Sequence, residues 1–240
     1  MGDRDLLVAK NYVPPAKTYY MPGGSGVDLT MFHPNAPKRT AVASLRRDLG
    51  LPNDAVVIAL IARMLWEKGV AEYRECAREL RNRHHNARFL LVGPTEDGVT
   101  GYVPLRQLKK WTQDSTLIYL GERQDVREIL ALADVVVLPT YYGEGVPRIL
   151  LEASAMARPI VSTDAPSCRE AVEHGVTGLL VPPRNNAALN SAVERLIADG
   201  ELRKRFGSAA RGKAEREFDE HKIIAQFLTI YESLWGQILK

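Results

Sequence analysis

The chain has 240 residues, 45% of them hydrophobic and 25% charged, a balance that can fill one large domain or two small ones and excludes a wholly disordered chain. Its net charge of +3 is too small for a surface built throughout for nucleic acid or membrane, so any basic site must be local and no nucleic-acid partner is expected. Two cysteines, Cys76 and Cys168, stand far apart with no CxxC or Cys/His ligand spacing, which excludes a disulfide framework and fits a reducing cytoplasm.

Through residue 40 the chain is rich in proline and glycine (NYVPPAK, MPGGSGVD, FHPNAP) and reads as a linker with one short strand from Thr18 to Met21. MGDRDLLVAK carries no signal-peptide core, and no apolar run approaches the roughly 20 residues of a spanning helix, so any membrane contact is expected to be peripheral. The domain proper is expected over 41–240. From Asp54 short apolar runs alternate with helical patterns: strand AVVIALIA at 55–62, helix EYRECARELRNR at 72–83, strand RFLLVG at 88–93 and helix PLRQLKKWTQ at 104–113. The rhythm continues through strand LIYLG at 117–121, helix DVREILALA at 125–133, strand DVVVLP at 134–139, a helix from Pro147 and strand PIVST at 159–163. A short helix CREAVEHG ended by Gly175, strand GLLV at 178–181 and three helices complete the chain. Such alternation predicts an α/β fold, a doubly wound, Rossmann-like and mostly parallel sheet with C-terminal helices. Ligands of such sheets bind beyond the C-terminal strand ends, which places Gly93, Gly121 and the 140–147 loop on one edge.

Two stretches on that edge carry chemistry. In GEGVPRILLE, glycines precede Pro147, which suits a helix start, and helix starts attract phosphate through free N–H groups and the helix dipole. Glu152 lies in an otherwise apolar run, where a carboxylate needs a partner: a ligand, or a neighbouring arginine. It sits about 7–8 Å along the helix from Pro147, the length of a ribose, whose two hydroxyls want a bidentate acceptor. In ARMLWEKGV, Arg63 and Lys68 follow the first strand and could hold a diphosphate, although surface cations are usually solvated. GGSGVD lacks both the Walker lysine and the GxGxxG order, so Gly24 and Gly26 need do no more than make a turn. The five histidines stand in no HExxH or triad context, and no acidic pair stands at a strand end; no metal or other cofactor is expected.

In DVVVLPTYYGEGVPRILLEASAMARPIVSTD, followed by CREAVEHGVTGLLVPP, the chain resembles the donor-binding C-terminal domain of glycosyltransferase family 4, one half of the two-domain GT-B fold. Glu144 and Glu152 match the family pattern of two glutamates separated by seven residues, and ARMLWEKG resembles its Arg and Lys signature. MPGGSGVDLTMFHP is similar to the segment leading into this domain, and LRKRFGSAARGKAEREF to its C-terminal helices. The likeness runs from about residue 18 to the end; Ser167, where many relatives have glycine, is one departure.

The resemblance implies retaining transfer of a hexosyl or N-acetylhexosaminyl group from a nucleotide sugar, most commonly UDP-linked, without a metal. Glu152 would accept from the ribose hydroxyls and Glu144 would hydrogen-bond the donor sugar. Arg63 and Lys68 would neutralise the departing diphosphate, and the backbone around Gly145, Val146 and Pro147 would hold phosphates or sugar. A glycan or lipid-linked acceptor, and a place in the cytoplasm at the inner face of the membrane, belong to the same expectation. The acceptor half would come from an absent N-terminal domain or a partner chain, and the final amphipathic helix would leave an apolar face uncovered. Two other readings are a non-catalytic nucleotide-sugar binding module and, from the glutamate pair alone, a glycosidase.

Overall fold

A computed structural model describes residues 7–15, 18–19, 23–113, 116–141 and 143–238. Six strands, β1 (Val56–Ile61), β2 (Ala87–Val92), β3 (Leu117–Tyr119), β4 (Val135–Leu138), β5 (Ile160–Thr163) and β6 (Gly178–Val181), alternate with helices. They form one sheet in the order β3-β2-β1-β4-β5-β6, and every pairing is parallel. Ile58 of β1 lies between Phe89 of β2 and Val135 of β4, so β1 is central and the chain reverses its direction of travel across the sheet there. This is the doubly wound, Rossmann-like α/β architecture expected from the sequence.

The helices are α1 (Arg39–Asp48), α2 (Val70–Arg83), α3 (Leu105–Thr112), α4 (Val126–Leu132), α5 (Arg148–Ala155), α6 (Pro166–Ala171), α7 (Asn186–Ala198), α8 (Gly200–Glu217) and α9 (Glu220–Ile238). They cover both faces. Val56, Ile58 and Leu60 pack with Tyr73, Leu80, Leu108, Val193 and Phe206 on one face. Val57, Ala59 and Ile61 pack with Leu45, Ile129, Leu150 and Phe218 on the other. Because alternate residues of β1 serve opposite faces, all six are buried, which is why this strand reads as an unbroken apolar run. Asn185 and Asp199 cap α7 and α8, accepting from the amides of Ala188 at 3.0 Å and Leu202 at 2.8 Å, each cap worth about 1 kcal/mol.

Three local features differ from expectation or extend it. α1 occupies a stretch in which the alternating rhythm has not begun; Leu45 is its one buried residue, and Arg46 fastens it by donating to the carbonyls of Pro52, Asn53 and Ala55. α6 starts at Pro166 and ends at Ala171, not at Gly175, because Val172 is extended and the Gly175 amide turns back to Gly178 O at 2.8 Å. Thr18 and Tyr19 are not in a strand, and the rest of the strand expected there lies outside the described residues.

Gly23 to Lys38 is docked on the domain. Val27 donates to Phe218 O at 2.7 Å, Phe32 is buried, and Arg211 bonds both Phe32 O and Ala155 O. On α9 Ile223 is buried, whereas Ile224, Phe227, Leu228, Tyr231, Leu234 and Trp235 are exposed. No helix among the described residues is long and apolar enough to cross a membrane.

Candidate functional site

The strand order fixes which loops can meet. β1 and β4 are neighbours at the point of reversal, so the segments leaving their C-terminal ends, 62–69 and 139–147, border the crevice in which open α/β sheets bind ligands. After β1 the chain makes a single 3₁₀ turn, Trp66–Lys68, and Gly69 ends it in the left-handed region at φ 75°. A Cβ at Gly69 would lie 2.3 Å from Pro139 O, so the two segments touch at backbone level only because this residue has no side chain.

Hydrogen bonds extend that contact. The Glu67 carbonyl accepts from the Tyr141 amide at 2.9 Å and from the Thr140 hydroxyl at 3.1 Å. The Thr163 hydroxyl in turn donates to Thr140 O, bringing in the end of β5. On this scaffold Lys68 forms an ion pair with Glu144, 76 residues away in sequence. Lys68 is only 7% exposed, so its charge, largely withdrawn from water, has to be matched locally, and Glu144 supplies the match. Arg63, by contrast, is exposed and bonds no side chain among the described residues, leaving a second cation beside the crevice.

Glu152 lies one turn into α5 and is mostly buried. Its Oε1 accepts from Arg148 Nε at 3.0 Å, an i to i+4 pair in which the arginine is largely exposed. Of the two partners weighed from sequence, the neighbouring arginine is the one present in the protein itself. Burial pushes the Glu152 carboxyl above its ordinary value, and the bond from Arg148 offsets only part of that. Glu152 Oε2 accepts from no described residue, which leaves one carboxylate oxygen for an outside donor. Pro147 is buried at the N-cap, one position before the first helical residue, while Gly145 is exposed and Val146 half-buried.

Three participants are not assigned to the site from sequence, where Gly24 reads as serving a turn. Gly24 faces the site loop, since a Cβ built there would be 3.3 Å from Val146 Cβ; the GGSG stretch thus abuts GEGVP. Arg184, in the loop after β6, lays its guanidinium 4.2 Å from the centre of the Tyr141 ring and holds the site loop from the far side. Its position just after a strand end was the available signal. Arg148 was visible as an i, i+4 neighbour of Glu152. Gly93 and Gly121 meet at the same edge, with the Gly93 amide donating to Gly121 O at 2.8 Å and the Tyr119 hydroxyl to Gly93 O at 3.0 Å. No cluster of three His, Cys, Asp or Glu that could hold a metal exists among the described residues. Cys76 and Cys168 are both buried.

A parallel sheet in this order, with cations and carboxylates gathered where its winding reverses, defines a Rossmann-type ligand-binding domain suited to a polyanion that also carries hydroxyls. The chain belongs to the glycosyl transferases group 1 family, whose profile matches residues 42–213. It is 31% identical over 207 residues to N,N'-diacetylbacillosaminyl-diphospho-undecaprenol alpha-1,3-N-acetylgalactosaminyltransferase of Campylobacter jejuni, covering 86% of this chain and 52% of that protein. It is 33% identical over 170 residues to alpha-D-kanosaminyltransferase of Streptomyces kanamyceticus, covering 70% and 43%. Among solved structures it is similar to HepE of Anabaena in complex with UDP and glucose, with TM-score 0.76 and 25% identity over 87% of this chain and 55% of that one. The chain thus spans about half the length of these relatives.

Proposed function

We propose that this chain is the donor-binding half of a retaining, family 4 glycosyltransferase that uses a UDP-linked hexose or N-acetylhexosamine. The observation that carries the reading is the joining of Lys68 to Glu144 across the crevice. Within it, the cations and the helix start suit a diphosphate, and the free oxygen of Glu152 suits a ribose hydroxyl.

Lys68 and Arg63 neutralise the charge that grows on the diphosphate as the glycosidic bond breaks, the moment at which preorganised cations contribute most. Glu144, held by Lys68, accepts a hydroxyl of the donor sugar, and Gly145, Val146 and Pro147 shape the backbone around it. Because Glu144 is engaged by a lysine, the pair Glu144 and Glu152 is poorly suited to the two-carboxylate chemistry of a glycosidase. No metal enters the proposed step. The acceptor, a glycan or a lipid-linked sugar, is bound by a further domain or a partner chain, as the span of the relatives supports.

Calorimetric titration of UDP, GDP and a UDP-sugar into this chain, beside Glu152→Ala and Lys68→Ala, tests the reading. Preferential binding of UDP, weakened by both substitutions, is expected. A folded chain that binds none of the three nucleotides, or binds them equally well in both variants, would overturn it.

A further inference from the structure

Beside β3, the edge strand, the surface opens into a groove of about 690 Å³ floored by Leu105 and Leu117 and running up to Tyr119 and Gly121 at the ligand edge. Arg81, Arg88 and Lys109 line it. Arg81 and Arg88 converge on one acceptor, the His85 carbonyl, at 2.6 and 2.7 Å, and Arg88 also donates to Ala87 O at 2.9 Å. Among the described residues neither guanidinium, nor Lys109, has a carboxylate within ion-pair distance. Two like charges are thus held side by side with no ion-paired carboxylate among the described residues. Burial and the neighbouring Arg81 both lower the Arg88 pKa, and the Asp54 carboxylate partly opposes them. An adjoining depression adds Arg106 and Lys110; among its described lining residues the one acid is Asp97, which accepts from the Leu105 amide at 2.8 Å.

We propose that this groove and its basic rim dock the chain on the phosphate headgroups of an anionic lipid membrane. Five cations spread over two adjoining depressions exceed what a single phosphate can satisfy, and an extended array of phosphates matches that spread. The apolar floor accepts the acyl or glycerol portion of an amphiphile that a small soluble anion lacks. Docked this way, the edge bearing Gly121 lies next to the bilayer. The proposal rests on the lipid-linked acceptor of the preceding section only for the reason a membrane would be present. The test below contains no sugar donor, so its failure leaves the donor site untouched.

The test is flotation of the full chain with vesicles of phosphatidylcholine with or without phosphatidylglycerol, across a range of salt. Binding is expected only with phosphatidylglycerol and should fall as salt rises. Each cation removed should weaken it roughly fivefold, the worth of one Lys or Arg near an anionic surface. Arg81→Gln with Arg88→Gln tests the paired arginines that line the groove; Lys109→Gln with Lys110→Gln, both exposed, tests the rim without risk to folding. Arg39→Gln with Arg47→Gln removes equal charge from α1, which packs on the opposite sheet face, and should leave binding within about twofold of unmodified chain if location matters more than total charge. The proposal fails if that control weakens binding as much as the Lys109 and Lys110 pair does. It also fails if the chain ignores phosphatidylglycerol, if UDP displaces it from vesicles, or if a soluble anionic polysaccharide is preferred.

Discussion

Gly69→Ala separates a steric requirement from a conformational one. At φ 75° any residue with a Cβ incurs about 1–2 kcal/mol. The Cβ would also stand 2.3 Å from Pro139 O and 2.6 Å from Pro139 Cγ, so Pro139 must move, a crowding that costs a further 1–3 kcal/mol or so. Together these predict a loss of about 2–5 kcal/mol, or roughly 4–20 °C in Tm for a domain of this size. Gly50 is the natural control, because it has φ 59° and nothing within 4 Å of a built Cβ. Gly50→Ala should cost only the conformational part, about 1–2 kcal/mol. Thermal unfolding of both variants by circular dichroism gives the difference, and titration with UDP adds a second reading. Displacing Pro139 shifts the loop that carries Glu144, so nucleotide binding should weaken in Gly69→Ala and stay unchanged in Gly50→Ala. Equal Tm values for the two variants would refute the claim that the close approach to Pro139 is what demands glycine.

Lys68→Met should lower stability by about 1–3 kcal/mol, less than a fully buried pair would lose because Glu144 keeps some contact with water, and should weaken UDP binding at least tenfold; a melt and a titration check both. Glu152→Gln addresses pH. A carboxyl whose folded pKa is raised binds protons more readily in the native state, so the protein loses stability as pH climbs from the ordinary carboxyl value of about 4.5 to the raised one. The variant lacks that loss, and its stability relative to the unmodified chain should rise across the window while UDP binding falls. An identical pH dependence in denaturant titrations of the two proteins would count against the buried carboxylate. Arg184→Ala, which frees Tyr141, should change Tm by less than about 2–4 °C, since an exposed cation–π contact is worth only ~0.5–1 kcal/mol, and should weaken UDP binding by less than tenfold.

The sheet was legible because β1, β4 and β5 are buried on both faces, β1 and β4 reading as apolar runs, and because glycine or proline bounds the ends of most strands; β6 spans the same residues, 178–181, in sequence and structure. α1 was not, since its sequence RTAVASLRRD offers one buried leucine and its hold on the domain comes from an arginine reaching carbonyls up to nine residues away. The end of α6 was misread because Gly175 looks like a helix terminator but serves the turn into β6. For the candidate site, sequence supplied residues on one edge but not their partners. Lys68 and Glu144 meet because β1 and β4 are neighbours, a fact of strand order that no local pattern carries. The nearness of Gly24 to Val146 is likewise tertiary, produced by the Val27 to Phe218 hydrogen bond and the packing around it.

The two sides of the ligand edge are joined through the segment after β1, whose Met64 amide donates to Pro94 O at 2.8 Å and whose Trp66 amide donates to Gly101 O at 3.0 Å. Lys68, Glu144 and Gly69 stand on β1 and β4 and are tied to β5 through Thr140 and Thr163, whereas Gly93 and Gly121 close the ends of β2 and β3 and are bonded to each other. A graft at 93–98 must therefore keep Gly93, whose Cβ would fall 1.8 Å from Ala62 O, or it displaces the segment that carries Lys68, whereas Gly121 has nothing within 4 Å of a built Cβ and tolerates exchange of 120–124. Variation in sequence is thereby channelled into the loop after β3, while a change in the loop after β2 is transmitted to the backbone that positions Lys68.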